Sequence, residues 1–355
     1  MKQFKCLNNR SILTVLFVFS VFCSCNSPES SLLIYEKENN EKARVKNEND
    51  LEIKRNQILD SMQAVMGAIP ARIKKCSYLA LDDTIYTGVK RIRITYSTRD
   101  SDTVPAYLFI PEYLEKKVPG ILCLHQTTPI GKDEPAGLGG SENLHYAYEL
   151  ALKGYVTIAP DYPNFGEYKF DPYSAGYQSA TMKGVINHMQ AVDILQSVEQ
   201  VDPERIGCIG HSLGGHNSLF VAAFDTRISA VVTSCGFTSF RKYYNGDLTG
   251  WSHKGYMPKI ATVYSKDPSK MPFDFPEVLA AIAPRAVFIN APVNDSNFDN
   301  SGVKDCVKEA GLIYKLAGKS KDLVLMTPDS KHDFPREIRI EAYKFLDSRL
   351  RREKD

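Results

Sequence analysis

Arg205-Ile206-Gly207-Cys208-Ile209-Gly210-His211-Ser212-Leu213-Gly214-Gly215-His216 decides how the rest of the chain is read. A short apolar run ends at Gly210, turns at Ser212 and leaves through small residues into the apolar-periodic segment Asn217 to Phe224. Gly-x-Ser-x-Gly between a strand and a helix is a nucleophile elbow. The turn leaves no room for bulk two positions either side of the serine, and Gly210 and Gly214 meet that demand. The turn also lifts the hydroxyl above the strand ends and sets it at a helix N-terminus, where backbone N–H groups favour negative charge.

A serine hydroxyl is a weak nucleophile at neutral pH and needs a base, which in turn needs an orienting group. In a fold built on this elbow the chain order is serine, acid, histidine, with acid and histidine on loops after late strands. His332, in Thr327-Pro328-Asp329-Ser330-Lys331-His332-Asp333-Phe334, follows a late strand and precedes the last helix, so it is the expected base. The acid is expected after the strand Ala286–Asn290, where Asp295 and Asp299 both qualify. Asp295 is nearer the strand end and is preferred; Asp299 suits a cap for the helix that follows. Of the other histidines, His211 and His216 are too close to Ser212 in sequence to serve it and are expected to pack or line the pocket. His253 is a weaker rival base, and a structural hydrogen-bonding role suits His125.

An oxyanion hole needs backbone N–H donors. Leu213, just after the serine, should give one, and Gln126 or Thr127, after the strand Val118–His125, the other. Tyr162 and Phe165 in one loop, and Phe237, Tyr243, Tyr244, Trp251 and Tyr256 in the stretch 236–275, are aromatic candidates for walls over the site; His125, His211, Tyr162, Phe165 and Trp251 are taken as pocket residues.

Outward from the elbow, Val89–Tyr96 and Val104–Pro111 alternate as antiparallel strands around the polar turn Arg99-Asp100-Ser101-Asp102. Strands and helices then alternate to the C-terminus: Tyr155–Ala159, a helix over 178–198, Arg227–Thr233, Pro284–Asn290, Asp322–Met326 and a helix over 335–351. That order predicts an α/β architecture: a mostly parallel sheet covered by helices on both faces, with antiparallel strands leading in. The irregular stretch 236–275 reads as a lid-like insertion within one catalytic domain over 57–355.

The Gly-His-Ser-Leu-Gly-Gly elbow, the late aspartate and the late histidine resemble the α/β-hydrolase superfamily. Within it the chain is similar to the dienelactone-hydrolase, acetyl-xylan-esterase and prolyl-oligopeptidase-like branch, over about 91–351. The resemblance implies an α/β-hydrolase fold and a serine esterase that forms an acyl-enzyme, possible substrates being small esters or acylated carbohydrate. A serine peptidase of that branch, or a hydrolase-fold binding module without activity, are the alternatives. His125-Gln126 departs from the His-Gly common at the oxyanion loop, Ser212 replaces the cysteine of dienelactone hydrolases, and no propeller-like repeat precedes the domain.

The chain has 355 residues, 43% of them apolar and 24% charged, with a formal net charge of +2, a balance that gives no electrostatic case for nucleic acid. Residues 1–24 read as an export signal, with Lys2, Lys5 and Arg10 before the apolar run Ile12–Phe22. Without them the charge falls from +2 to −1. Ser24-Cys25 resembles a bacterial lipobox, which implies Cys25 as a lipidation site and an exported lipoprotein held to a membrane by its lipid alone; a cleaved signal without lipidation is the alternative. Residues 25–56, polar and mixed in charge, read as a tether that turns helical near Leu51. No metal-ligand spacing or nucleotide-binding glycine loop is present, so no cofactor is expected. Buried free thiols are expected for the cysteines, with a Cys123–Cys208 or Cys208–Cys235 disulfide as the alternative.

Overall fold

The computed structural model describes residues 30–71, 77–98 and 102–351. The export signal, Cys25 and the centre of the turn after Tyr96 lie outside the described residues. Within them, no helix is long and apolar enough to cross a membrane.

The described chain begins with structure where a tether was expected. A 3-10 turn leads into a small hairpin of β1 (Ile34–Glu36) and β2 (Lys42–Arg44), followed by helix α1 (Glu48–Met66). Leu32 and Val45 are fully buried beside Leu51, Ile58 and Met62 of α1. Two apolar anchors within a polar stretch are enough to fix it, and the Asn47 side chain caps α1 by accepting from Asp50 N–H. The Arg55 guanidinium donates to the carbonyls of Ala223 and Ala281, at the C-terminal ends of two core helices, which ties α1 to the domain. The tether boundary at residue 56 is therefore corrected: packed structure starts near residue 30.

The main sheet has nine strands: β3 (Tyr78–Tyr86), β4 (Val89–Tyr96), β5 (Val104–Pro111), β6 (Val118–Leu124), β7 (Val156–Pro160), β8 (Val201–His211), β9 (Ile228–Ser234), β10 (Ala286–Asn290) and β11 (Leu323–Met326). Across the sheet the order is β11-β10-β9-β8-β6-β7-β5-β4-β3. The six strands from β11 to β7 are parallel, and β5, β4 and β3 are antiparallel.

Alternation along each central strand splits the core in two. In β6, Leu122 and Leu124 face one layer while Ile121 and Cys123 face the other. The first layer holds α1, α3 (Ala180–Ser197), α4 (Leu213–Phe224), α6 (Phe275–Ile282) and α7 (Asn300–Leu316); the second holds α2 (Tyr146–Leu152) and α8 (Arg336–Leu350). The chain goes from β6 outward to β7 and then back across to β8. The sheet's topological switch point therefore lies between β6 and β8, and a crevice at the strands' carboxyl ends is where such sheets bind ligands. Ser212 follows β8 directly.

The insertion contributes α5 (Lys259–Thr262) and several 3-10 turns. Its aromatic residues mostly pack inward. Trp251 is 2% exposed and touches Phe240, Tyr243, Phe275 and Phe298, and Phe237 stacks on Phe275. Trp251 is thus part of the core that holds the insertion, a correction to its expected place on the pocket wall. Cys123, Cys208, Cys235 and Cys306 are buried free thiols.

Candidate active site

Ser212 sits at φ +53°, ψ −114°, a conformation that an L-residue holds only when its surroundings enforce it, at a cost on the order of 1–3 kcal/mol. Two backbone bonds do the enforcing. Ser212 N–H donates to Ser234 O of β9 at 2.8 Å, and Ser212 O accepts from His216 N–H at 3.2 Å in the first turn of α4. The glycines supply clearance. A Cβ on Gly214 would lie 1.9 Å from Leu124 O, and one on Gly210 would lie 2.2 Å from Gly214 O. This close approach brings the N-terminus of α4, where Leu213 has no intrahelical acceptor for its N–H, against the end of β6 and the loop carrying Gln126 and Thr127.

The loops after β10 and β11 bring Asp295 and His332 together. Nδ1 of His332 is 2.9 Å from each carboxylate oxygen of Asp295, and the Asp295 side chain is 1% exposed. Burial pushes the Asp295 carboxyl up, but the His332 bond and two backbone donors, Asn297 N–H and Phe298 N–H, outweigh it and hold it below its usual range. With Nδ1 occupied, Nε2 is the ring nitrogen left to exchange a proton with a nucleophile. The His332 ring lies 4.9 Å from that of His211, the residue preceding Ser212, and 5.9 Å from that of Phe298. Asp299 instead caps α7 by accepting from Ser301 N–H at 2.7 Å.

His125 and His211 are walls rather than open pocket residues. His211 is 1% exposed, binds Ser234 Oγ through Nδ1 and is pushed down to about 3 by burial and by the neighbouring His332. His125 is pushed down to about 4 by burial and is neutral. Its Nε2 accepts from Tyr162 N–H at 2.9 Å, so its Nδ1–H donates to Gln126 O at 2.6 Å. The same two loops are joined again where Asp161 accepts from Lys132 N–H and Glu167 N–H and pairs with the Lys132 ammonium at 3.2 Å. The Gln126 side chain donates to Glu134.

Tyr162, 2% exposed, packs with Ala180 and Leu213, while Phe165 and Tyr256 are half-buried at the edge of that cluster. The Tyr162 hydroxyl donates to Gly255 O of the insertion, and Thr127 Oγ1 lies 3.3 Å from the Tyr256 hydroxyl, a bridge from the Gln126–Thr127 loop to the insertion.

Sequence reasoning passed over the groups that hold the histidine loop. Asn290 Nδ2 donates to Asp333 O and to Ser234 Oγ, and the Cys235 thiol donates to Asp333 O at 3.3 Å. Asn143 donates to the Asp333 carboxylate. These residues come from four separate places in the chain, and no spacing links them. Donor atoms of His211, Cys235 and His332 also lie within 4.8 Å of one another. The Cys235 thiol is pushed well up by burial and by Asp295, and both Nδ1 atoms are engaged, so the trio lacks the thiolate that a zinc cage of this kind would use.

Residues 170–318, which run from the segment before α3 through the elbow, the insertion and α7, match the family model described as "Glucuronyl esterase, fungi". YtaP of Bacillus subtilis strain 168, named as a hydrolase, is 28% identical over 261 residues, or 69% of this chain and 83% of that one. A glucuronoyl esterase from Solibacter usitatus superposes with a TM-score of 0.70 at 18% identity, over 90% of this chain and 96% of that one. Acetyl xylan esterase 1 from Thermoanaerobacterium sp. JW/SL YS485 superposes with a TM-score of 0.56 at 16% identity, over 84% and 92%. At such identities the likeness is one of fold. Strand order, the strained Ser212 turn and the late Asp295–His332 pair agree with it, and the fold is that of the α/β-hydrolases.

Proposed function

We propose that the protein is an exported serine esterase acting on carbohydrate esters. The observation that carries this reading is the Asp295–His332 pair, oriented by hydrogen bonds at the same strand ends that present Ser212 on its strained turn. Ser212 Oγ attacks the ester carbonyl while its proton passes to Nε2 of His332. The tetrahedral oxyanion draws on Leu213 N–H and an amide of the Gln126–Thr127 segment. As the C–O bond to the alcohol breaks, His332 returns the proton to the leaving oxygen. Water then attacks the acyl-serine by the same route and releases the acid. Asp295 stabilises the imidazolium that forms in each half-reaction.

The carbohydrate part of the reading is supported by the fungal glucuronyl esterase model, whose match takes in the elbow, the insertion and Asp295. Hydrolysis of a short-chain nitrophenyl ester, with fluorophosphonate labelling abolished by Ser212→Ala, tests the enzyme. Acetylated xylan, an alkyl ester of glucuronic acid and a proline-containing peptide, compared side by side, test the substrate class; cleavage of the peptide alone would overturn it. For export, the proposed Cys25 anchor predicts labelled-lipid incorporation that Cys25→Ser abolishes.

A further inference from the structure

Tyr256, in the insertion, is held by its ring and its backbone, and only its hydroxyl is loosely bound. The ring meets those of His253, His216 and Trp251 at centroid distances of 4.5, 5.5 and 5.9 Å. Its N–H donates to His253 O at 2.9 Å, its carbonyl accepts from Thr181 N–H at 3.4 Å, and the preceding carbonyl, Gly255 O, accepts from the Tyr162 hydroxyl. The ring also packs on the cluster of Tyr162, Ala180 and Leu213. Leu213 and His216 both lie in the first turn of α4, directly after Ser212. At the far end of the ring, the hydroxyl lies 3.3 Å from Thr127 Oγ1. Tyr256 thus spans from the helix turn that carries Leu213 N–H to the loop that carries the amides of Gln126 and Thr127. Ser212 and Tyr256 are half-buried and Thr127 is exposed, so solvent reaches the space between them.

We propose that the Tyr256 hydroxyl is a third oxyanion donor, a side-chain O–H that joins the two backbone amides when the ester carbonyl becomes tetrahedral. The assignment rests on the proposed serine-esterase chemistry. Before reaction the hydroxyl is shared with Thr127 Oγ1, in a contact of 3.3 Å. Bonds between hydroxyls centre near about 2.7–2.8 Å, so little is lost when this O–H turns to a stronger acceptor. As Ser212 Oγ bonds to the carbonyl carbon, the C=O electron pair moves onto oxygen and the O–H turns to it. The O–H turns back when C=O re-forms and the alcohol leaves. The phenol keeps its proton throughout, because burial raises its pKa. With the ring clamped, the donor stands ready before charge develops, and a bond that strengthens only then lowers the barrier instead of tightening substrate binding.

Steady-state hydrolysis of a nitrophenyl ester by Tyr256→Phe and Thr127→Val tests this, with fluorophosphonate labelling of the wild type as the check on the nucleophile. Tyr256→Phe keeps the ring and its packing and removes one oxygen. Its kcat is expected to fall about 100-fold with KM within about threefold of wild type, the pattern of a bond made only in the transition state. Inhibition by a boronic acid, which becomes a tetrahedral anion on the serine, should weaken by a similar factor. Thr127→Val removes the hydroxyl's present partner and leaves the phenol, so its loss in kcat should stay below about tenfold, the worth of one neutral hydrogen bond. Equal losses in the two variants would show that the hydroxyl only ties the insertion to the loop. That result, or an active, labelled wild type whose kcat or boronic acid affinity survives in Tyr256→Phe, would overturn the oxyanion assignment alone. A folded wild type that is neither labelled nor active would overturn the esterase reading and this assignment with it.

Discussion

Nδ1 of His332 is held equidistant, at 2.9 Å, from both oxygens of Asp295. One donor shared by two acceptors fixes the imidazole in a single tautomer. Asp295→Asn offers an amide that can present its own N–H to Nδ1 and reverse that tautomer. The expected loss in kcat is about 10³–10⁴-fold, measured on a nitrophenyl ester. Asp299→Ala, which removes a helix cap, is expected to cost about 1 kcal/mol of stability in urea unfolding and to leave kcat within a few-fold of wild type. A reversed order of these two losses in kcat would reassign the acid.

Gly214→Ala places a methyl group against the carbonyls of Leu124 and His125, backbone atoms that cannot step aside. The elbow and the end of β6 must then separate. We expect loss of hydrolysis to below about 1% together with destabilisation of several kcal/mol, read by activity and thermal unfolding. At Gly311, inside α7, an added Cβ meets nothing within 4 Å. Gly311→Ala should therefore stabilise the protein by about 0.5–1 kcal/mol without touching activity.

Four buried histidines make stability depend on pH. His125 is pushed down to about 4, and His188, His211 and His216 to about 3, each chiefly by burial. The unfolded chain protonates them near 6.5, so it binds more protons than the native state below that pH. The stabilisation is fully present above about pH 6.5 and is lost as pH falls through that value toward 4 and 3. At pH 5 each ring accounts for about 2 kcal/mol, so the urea midpoint should drop steeply between pH 6.5 and 4. His188→Gln should flatten that slope by about one ring's share; an unchanged slope would show that His188 does not contribute.

Lys183 and Asp102 form an ion pair sealed from solvent, with Thr98 and the Tyr168 hydroxyl completing it. Lys183→Met leaves a buried carboxylate without its cation, and about 3–5 kcal/mol should be lost in urea unfolding. Adding Asp102→Asn to that variant should restore part of the loss, because the uncompensated charge goes with it.

The elbow was legible because its constraint is steric: only small residues fit beside Ser212, and Gly210 and Gly214 are visible in one dimension. Strand β4 was legible because one face is buried and the other half-exposed, which writes a period of two, and β5 because Val104–Phe109, buried on both faces, reads as an apolar run. Strand β3 was not, since it is wet on both faces and Asp82-Asp83 interrupts Leu79, Leu81 and Ile85. Asp295 and Asp299 look alike in sequence; one turns inward to a histidine and the other to a helix end, a difference made by a few backbone angles. Asn290, Cys235 and Asn143, which hold the histidine loop, left no trace, because their shared partner Asp333 is brought near only by folding.

His125 spends both ring nitrogens on backbone, one on Gln126 and one on Tyr162. A neutral imidazole has only those two valences, so the loops after β6 and β7 are bolted into a single floor beside the Ser212 elbow. The insertion meets that floor through the Tyr162 hydroxyl on Gly255 O and through a longer hydroxyl contact between Tyr256 and Thr127. In the proposed reaction, the segment offered as oxyanion donor is thereby held by backbone partners on both sides of one neutral ring, whatever side chains the insertion carries above it.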